Sequence, residues 1–401
     1  MPKLASRVET IKPSMILSIA QKARELKESG KDVISFSVGV PNFLPAQHVY
    51  DAVAESIHND KGVYLSSRGE GELIDAYINK LTRDGIEGFK QNHVACGIGA
   101  KHLLFSLMMS MLEKGDEVIL IAPTWGSYID DAEFFGAKPV IIECSAKDNY
   151  KLDPERLEYY VTDKTKMIIF NNPTNPTGMV YESAEIKALA EKLEQYKDMW
   201  VISDDIYDNM IYDGLKFDHL WHYASDELKQ RMVLVNSISK TYGMPGWRVG
   251  YLACLDETVS KTITALNANS ITNVPAPAVA AATAALNGSH EFVKQQCLEF
   301  EKKRDIVMQY MAKDEKIKCP LPQGAFYAFP DISACFGKSY NGRIITSAME
   351  FCKILLEEKL LACVPGEVFA DNNGIRISYA CSEKDLVEGL TRFIDFVNNI
   401  K

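Results

Sequence analysis

From about Gln91 to Tyr251 the chain repeats one pattern, a short run rich in valine and isoleucine followed by an amphipathic stretch of helical period. The runs read HVACGIG, EVILIAP, KPVIIEC, KMIIFNN, MWVISDD and RMVLVNS, and after the first of them the periodicity predicts a helix from Ala100 to Leu112. A strand with one wet face carries a polar residue at every second position. Runs that stay apolar throughout belong inside a mostly parallel sheet with helices on both faces. The fold class is therefore α/β. In such sheets ligands bind in the crevice at the carboxyl ends of the strands, so the residues directly after each run are where chemistry is to be sought.

The texture changes after about Gly288. A long charged helical stretch follows, then short strands near Gly324 to Phe329 and Gly374 to Tyr379 with helices between and after them, which predicts a second, smaller α+β unit. An amphipathic helix around Ile16 to Glu28 is expected to pack with it. The expected division is a large domain over residues 46–288 and a small one made of residues 1–45 and 289–401, since 401 residues exceed one compact core.

What the chain lacks narrows its partners. Formal net charge is -10 with no basic block, which argues against nucleic acid or an anionic membrane as partner. No apolar run approaches the roughly 18 residues that cross a bilayer, and the start, Met-Pro-Lys-Leu-Ala-Ser-Arg, shows no secretory pattern, so a soluble, cytoplasmic protein is expected. The nine cysteines are scattered with neither C-x-x-C nor metal-type spacing, and no bound metal is expected.

The strand ends carry unusual residues. Gly99-Ala100-Lys101 opens a helix straight after a strand, where free N–H groups and the helix dipole suit an anion. His102 stands where a dinucleotide fingerprint would need its third glycine, so a single phosphate fits better. Ser237 and Arg248 flank Lys240, and a hydroxyl with a guanidinium fork suits the same phosphate. Lys240 lies in an uncharged neighbourhood, where desolvation lowers its pKa and favours the nucleophilic amine. S-x-x-K also occurs in serine hydrolases, but there it precedes S-D-N, whereas Ser203-Asp204-Asp205 comes before it here.

Taken together, Pro123-Thr124-Trp125, N-P-T-N-P-T-G over residues 172–178, S-D-x-x-Y from Ser203 to Tyr207, S-x-x-K from Ser237 to Lys240 and G-W-R-V-G-Y from Gly246 to Tyr251 resemble the fold-type I pyridoxal-phosphate enzymes, specifically the class I/II aminotransferases of the aspartate aminotransferase superfamily. The resemblance covers nearly the whole chain. It implies a three-layer large domain around a mostly parallel seven-stranded sheet, a smaller α+β domain, and pyridoxal 5'-phosphate as cofactor, joined to Lys240 as a Schiff base. It further makes Asp204 the partner of the pyridinium nitrogen, Tyr207 and Asn175 donors to the ring phenolate oxygen, and Trp125 the plate stacked on the ring. Tyr64 is implied to reach the phosphate of the partner subunit's cofactor, and hence a homodimer with shared sites.

For the substrate, the resemblance makes Arg376, in G-I-R-I-S-Y-A, the arginine that grips the α-carboxylate, and Gly39, in S-V-G-V-P-N-F, a backbone donor to the same group. Trp125 and Asn175 then also border the substrate. Arg68, in L-S-S-R-G-E-G-E-L, is the candidate second cation for a distal carboxylate, against the simpler reading of a solvated loop charge. The implied reaction moves an amino group between an L-amino acid, aspartate first among the candidates, and a 2-oxo acid such as 2-oxoglutarate, with ping-pong kinetics. A β-lyase or synthase of the same fold shares the cofactor residues and stays open. A non-enzymatic cofactor-binding regulator is disfavoured, because the fold begins by about residue 14 and leaves no room for a DNA-binding domain.

Overall fold

The computed structural model describes residues 3–11, 13–59 and 62–401. Its centre is a seven-stranded sheet in the order Val94–Gly97, Gly250–Ala253, Met232–Ser237, Trp200–Asp204, Thr165–Asn171, Glu117–Ala122, Lys138–Glu143. Every neighbouring pair is parallel except the two made by Gly250–Ala253, which runs antiparallel to both its neighbours. Three strands, Val94–Gly97, Met232–Ser237 and Gly250–Ala253, are buried at every position, as their unbroken apolar character requires. Leu103, Leu107, Tyr128 and Ile263 cover one face, and Leu73, Tyr77, Ile186 and Leu286 the other. Each such apolar side chain contributes about 1.5–3 kcal/mol when fully buried.

The antiparallel strand is what shapes the working edge. Ser237 pairs with Gly250, so residues 238–249 form a loop folded back over the carboxyl ends of the strands, and Lys240 and Arg248 stand in it. Gly97 also pairs with Gly250, which brings the start of the helix Ala100–Met111 against the same loop. A Cβ on Gly250 would lie 2.4 Å from the Ala100 backbone nitrogen, so no larger residue fits.

The smaller unit holds the antiparallel strands Val364–Pro365, Ile375–Ser378 and Tyr327–Ala328, with helices Glu291–Met311, Ala348–Lys359 and Glu383–Asn398 packed around them. In the last helix Leu386, Leu390, Phe393 and Val397 share one buried face, and Ser382 caps its start by accepting the Asp385 N–H at 3.1 Å. Ile34–Ser35 adds a parallel pair with Leu361–Ala362, beside which the helix Met15–Glu28 lies.

The two cores do not part at residues 288 and 289. Tyr207, Met210 and Tyr212, which leave the strand Trp200–Asp204, are buried in the core of the smaller unit. The Tyr212 N–H donates to the Gln323 carbonyl at 2.9 Å, and buried Arg304 grips the Asp213 carboxylate through two bonds of 2.8 and 2.7 Å. These side chains are too apolar to remain at a solvated strand end, and only the smaller unit offers a core to receive them.

Candidate active site

One pocket at the carboxyl edge of the sheet collects Gly39, Ala100, Lys101, Trp125, Asn175, Asp204, Tyr207, Lys240, Arg248 and Arg376. One end of it is built by backbone. Gly99, at φ 97°, is the N-cap of the helix Ala100–Met111 and supplies no side-chain cap. A Cβ there would lie 2.3 Å from the Arg248 guanidinium, so glycine lets the cation close on the helix start. Arg248 itself donates to the carbonyls of Pro245 at 2.7 Å and Ile98 at 3.0 Å. A helix N-terminus beside a guanidinium fork is a ready cradle for a dianion.

The floor is buried and heavily bonded. Asp204, 3% exposed at its strand end, accepts the Tyr128 hydroxyl at 2.5 Å on Oδ2 and the Ile206 N–H at 3.3 Å on Oδ1. Burial pushes its carboxyl up to about 7, against the pull of those bonds. Asn171 donates to the Asp204 carbonyl at 2.8 Å and accepts the Asn175 N–H at 2.8 Å, which ties the N-P-T-N turn to the neighbouring strand. Tyr207 meets the Tyr327 hydroxyl at 3.0 Å.

Lys240 donates from Nζ to the Gly39 carbonyl at 2.5 Å. Removal from water, reinforced by the positive charges of Arg376 and Arg248, lowers its amine to about 8. Arg376, 2% exposed, donates to Asn175 Oδ1 at 3.1 Å and the Ser37 carbonyl at 2.8 Å, with its guanidinium over the rings of Tyr327 and Phe369. Its buried Nε has no partner among the described residues. A guanidinium buried without a carboxylate beside a cavity is chemistry waiting for an anion.

Three of the residues singled out in the sequence do not line this pocket, one of them, Tyr64, being expected at the partner subunit's site. Ser237 is fully buried behind the pocket, where its Oγ accepts the Ser239 N–H at 3.1 Å, and it is Ser239 that lines the cavity. Tyr64 is 87% exposed. Arg68 points to the Gln91 carbonyl at 3.5 Å and does not line the pocket, because its loop is drawn to the sheet edge by the bond from the Cys96 N–H to the Arg68 carbonyl at 2.7 Å. Lys101 lines the mouth instead, with Nζ 3.1 Å from Ser127 Oγ and 5.2 Å from the centre of the Trp125 ring. Sequence reading missed Tyr128 and Tyr327. Neither directly follows a sheet strand, so the strand-end rule could not find them; Tyr327 sits in the apolar run G-A-F-Y-A-F, where a hydroxyl is the only signal.

A sequence model of the family "Aminotransferase class I and II" matches residues 31–393. A probable aspartate/prephenate aminotransferase of Rickettsia prowazekii is 36% identical over 390 residues, 97% of each chain. An aspartate aminotransferase of Rhizobium meliloti is 36% identical over 97% of this chain and 94% of its own. Among solved structures, that of the aspartate aminotransferase from Rhizobium meliloti superposes with a TM-score of 0.95 at 34% identity over the whole of both chains. The Thermus thermophilus aspartate aminotransferase with maleate gives 0.91 at 30% identity over 99% of this chain and 100% of its own. The chain belongs to the class I and II aminotransferases, the fold-type I pyridoxal-phosphate-dependent enzymes of the aspartate aminotransferase superfamily. The residues present fit that cofactor: an uncapped helix start with Arg248 for the phosphate, a buried carboxyl for the ring nitrogen, and a lysine amine of lowered pKa between them.

Proposed function

We propose that this aminotransferase exchanges the amino group between L-aspartate and a 2-oxo acid such as 2-oxoglutarate, working as a homodimer. The observation that carries a dicarboxylic substrate is a pair of cations lining opposite parts of the pocket: Arg376 in the floor suits the α-carboxylate, and Lys101 at the mouth suits the distal one. The names of the relatives agree with that choice, and maleate, bound by the Thermus enzyme, is itself a dicarboxylate. The exposed Tyr64 ring, on a loop rimmed by Val63, is surface that a second copy would cover.

In this reading Gly99, Ala100 and Lys101 through their backbone, together with Arg248 and the serines of the Ser237–Lys240 turn, would hold the cofactor phosphate. Trp125 would cover one side of the ring. Asp204 would pair with the ring nitrogen, whose positive charge would favour the ionised carboxylate that burial disfavours. Tyr207 and Asn175 would donate to the ring oxygen. Bound pyridoxal phosphate supplies an electron sink for the charge left on the substrate's α-carbon. Arg376 and the Gly39 N–H orient the α-carboxylate, so that the α-proton faces Lys240. Lys240 Nζ, whose depressed pKa enlarges the neutral fraction of the amine, would be the base that moves that proton.

The test is a visible spectrum of the purified protein with pyridoxal phosphate, before and after separate amino acids are added without an oxo acid. Conversion of the bound chromophore by aspartate and glutamate, but weakly by alanine, is the expected result. Release of pyruvate without any acceptor would move the reading to a β-lyase.

A further inference from the structure

Behind Lys240, away from the pocket, lies a buried polar cluster that no step above uses. Lys80, 4% exposed in the helix Gly71–Arg83, donates to Asp208 Oδ2 and, at 2.7 Å, to Asp84 Oδ2. Burial favours the neutral amine, but the two carboxylates outweigh it and keep Lys80 protonated. Tyr77, Tyr242 and Tyr251 surround the pair.

Asp208 has more partners than one ion pair needs. Its Oδ2 also accepts Asn236 Nδ2 at 2.9 Å, and its Oδ1 accepts Asn209 Nδ2 at 2.7 Å and Thr241 Oγ1 at 3.4 Å. Asn236 and Thr241 bracket the turn that carries Ser237, Ser239 and Lys240. Asn236 Oδ1 in turn accepts the Ser237 N–H at 2.7 Å. The backbone bonds nearest the lysine leave this turn, at 3.3 Å from the Ile238 N–H to the Val249 carbonyl and 3.2 Å from the Gly243 N–H to the Lys240 carbonyl, and within it the Ser239 N–H donates to Ser237 Oγ at 3.1 Å. The two ends of the turn are thus tied by side chains to one carboxylate, and where that carboxylate stands bears on where the lysine amine stands.

We propose that Asp208 is a positioning residue for Lys240: its carboxylate, anchored by Lys80, holds both ends of the Asn236–Thr241 turn and sets where the amine stands relative to Tyr207 and Arg376. Asp208 follows Tyr207 directly, so the same clamp fixes the ring-oxygen donor and the lysine to each other. The proposal rests on the aminotransferase reading, in which Lys240 moves the proton. A misplacement of roughly 1 Å at a reacting group can cost about a hundredfold in rate.

The test separates the clamp from the ion pair by working in a Lys80→Met background, where no buried ammonium is left unpaired. Into it go Asp208→Asn, which keeps an oxygen acceptor, and Asp208→Leu, which removes it. Four quantities are read: kcat, KM for aspartate, the rate at which the apoprotein captures pyridoxal phosphate, and hydrogen exchange of the backbone from Asn236 to Thr241. With Asp208→Leu, kcat should fall by about thirtyfold and capture by about tenfold, while KM stays within about threefold because Arg376 is untouched. Exchange across the turn should quicken. Asp208→Asn should restore kcat to within about threefold of the background.

Unchanged kcat and exchange in the Asp208→Leu protein would overturn the proposal, as would an Asp208→Asn protein that is equally impaired. Should the leucine variant not fold, Thr241→Val in the otherwise unmodified enzyme takes its place. A severalfold loss of kcat at constant KM then supports the clamp, and no loss overturns it. An unmodified protein that captures no pyridoxal phosphate would instead sink the aminotransferase reading itself.

Discussion

The floor and the mouth of the pocket are built on opposite principles. In the floor, Asp204, Tyr207, Asn175 and Arg376 are each under a tenth exposed and each held by at least one side-chain hydrogen bond. At the mouth, Lys101 is exposed and donates to Ser127, while Val38 and Val40 beside Gly39 are 41% and 44% exposed. A rigid, dry floor keeps reacting groups within a narrow geometry, where electrostatic effects are largest. A solvated mouth can change its side chains at little cost in stability. The difference suggests that the class of reaction resides in the floor and the choice of amino acid at the mouth.

Substitutions can break this comparison in order of size. Lys240→Ala should lower kcat by roughly ten-thousandfold in steady-state assays while the fold, followed by circular dichroism, is retained. The same lysine gives a pH signature in the apoprotein. Its amine is lowered to about 8, so the neutral form and with it the rate of pyridoxal phosphate capture should rise with pH through a midpoint at about 8 and then level off. A midpoint near the ordinary lysine value of about 10.4 would show that burial does not tune it.

Arg376→Lys comes next. A point charge cannot reproduce the planar fork, and kcat/KM should fall about a hundredfold for aspartate and alanine alike, since both carry an α-carboxylate. Lys101→Ala should raise KM about tenfold for aspartate and leave alanine nearly unchanged. Equal effects on both would return the mouth to a purely cofactor-binding role. The smallest effect belongs to Arg68→Ala, within about twofold for every substrate, because its side chain faces Gln91. A selective loss of aspartate there would show that a second subunit brings Arg68 to the pocket.

The sequence by itself determined the α/β class, because unbroken runs such as EVILIAP have no stable home except a sheet covered on both faces. It also determined most of the floor, since strand-end residues such as Asp204 and Asn175 are placed by the chain that carries them. Only the tertiary structure decided what converges from separate elements. Tyr128 reaches Asp204 from a helix and Tyr327 reaches Tyr207 from the smaller unit, contacts 76 and 120 residues apart along the chain. It likewise decided that Ser239 rather than Ser237 faces the cavity and that Lys101 rather than Arg68 lines its mouth. Spacing along a chain fixes which residue types are near a strand end; the direction each side chain takes depends on packing against partners that no local pattern encodes.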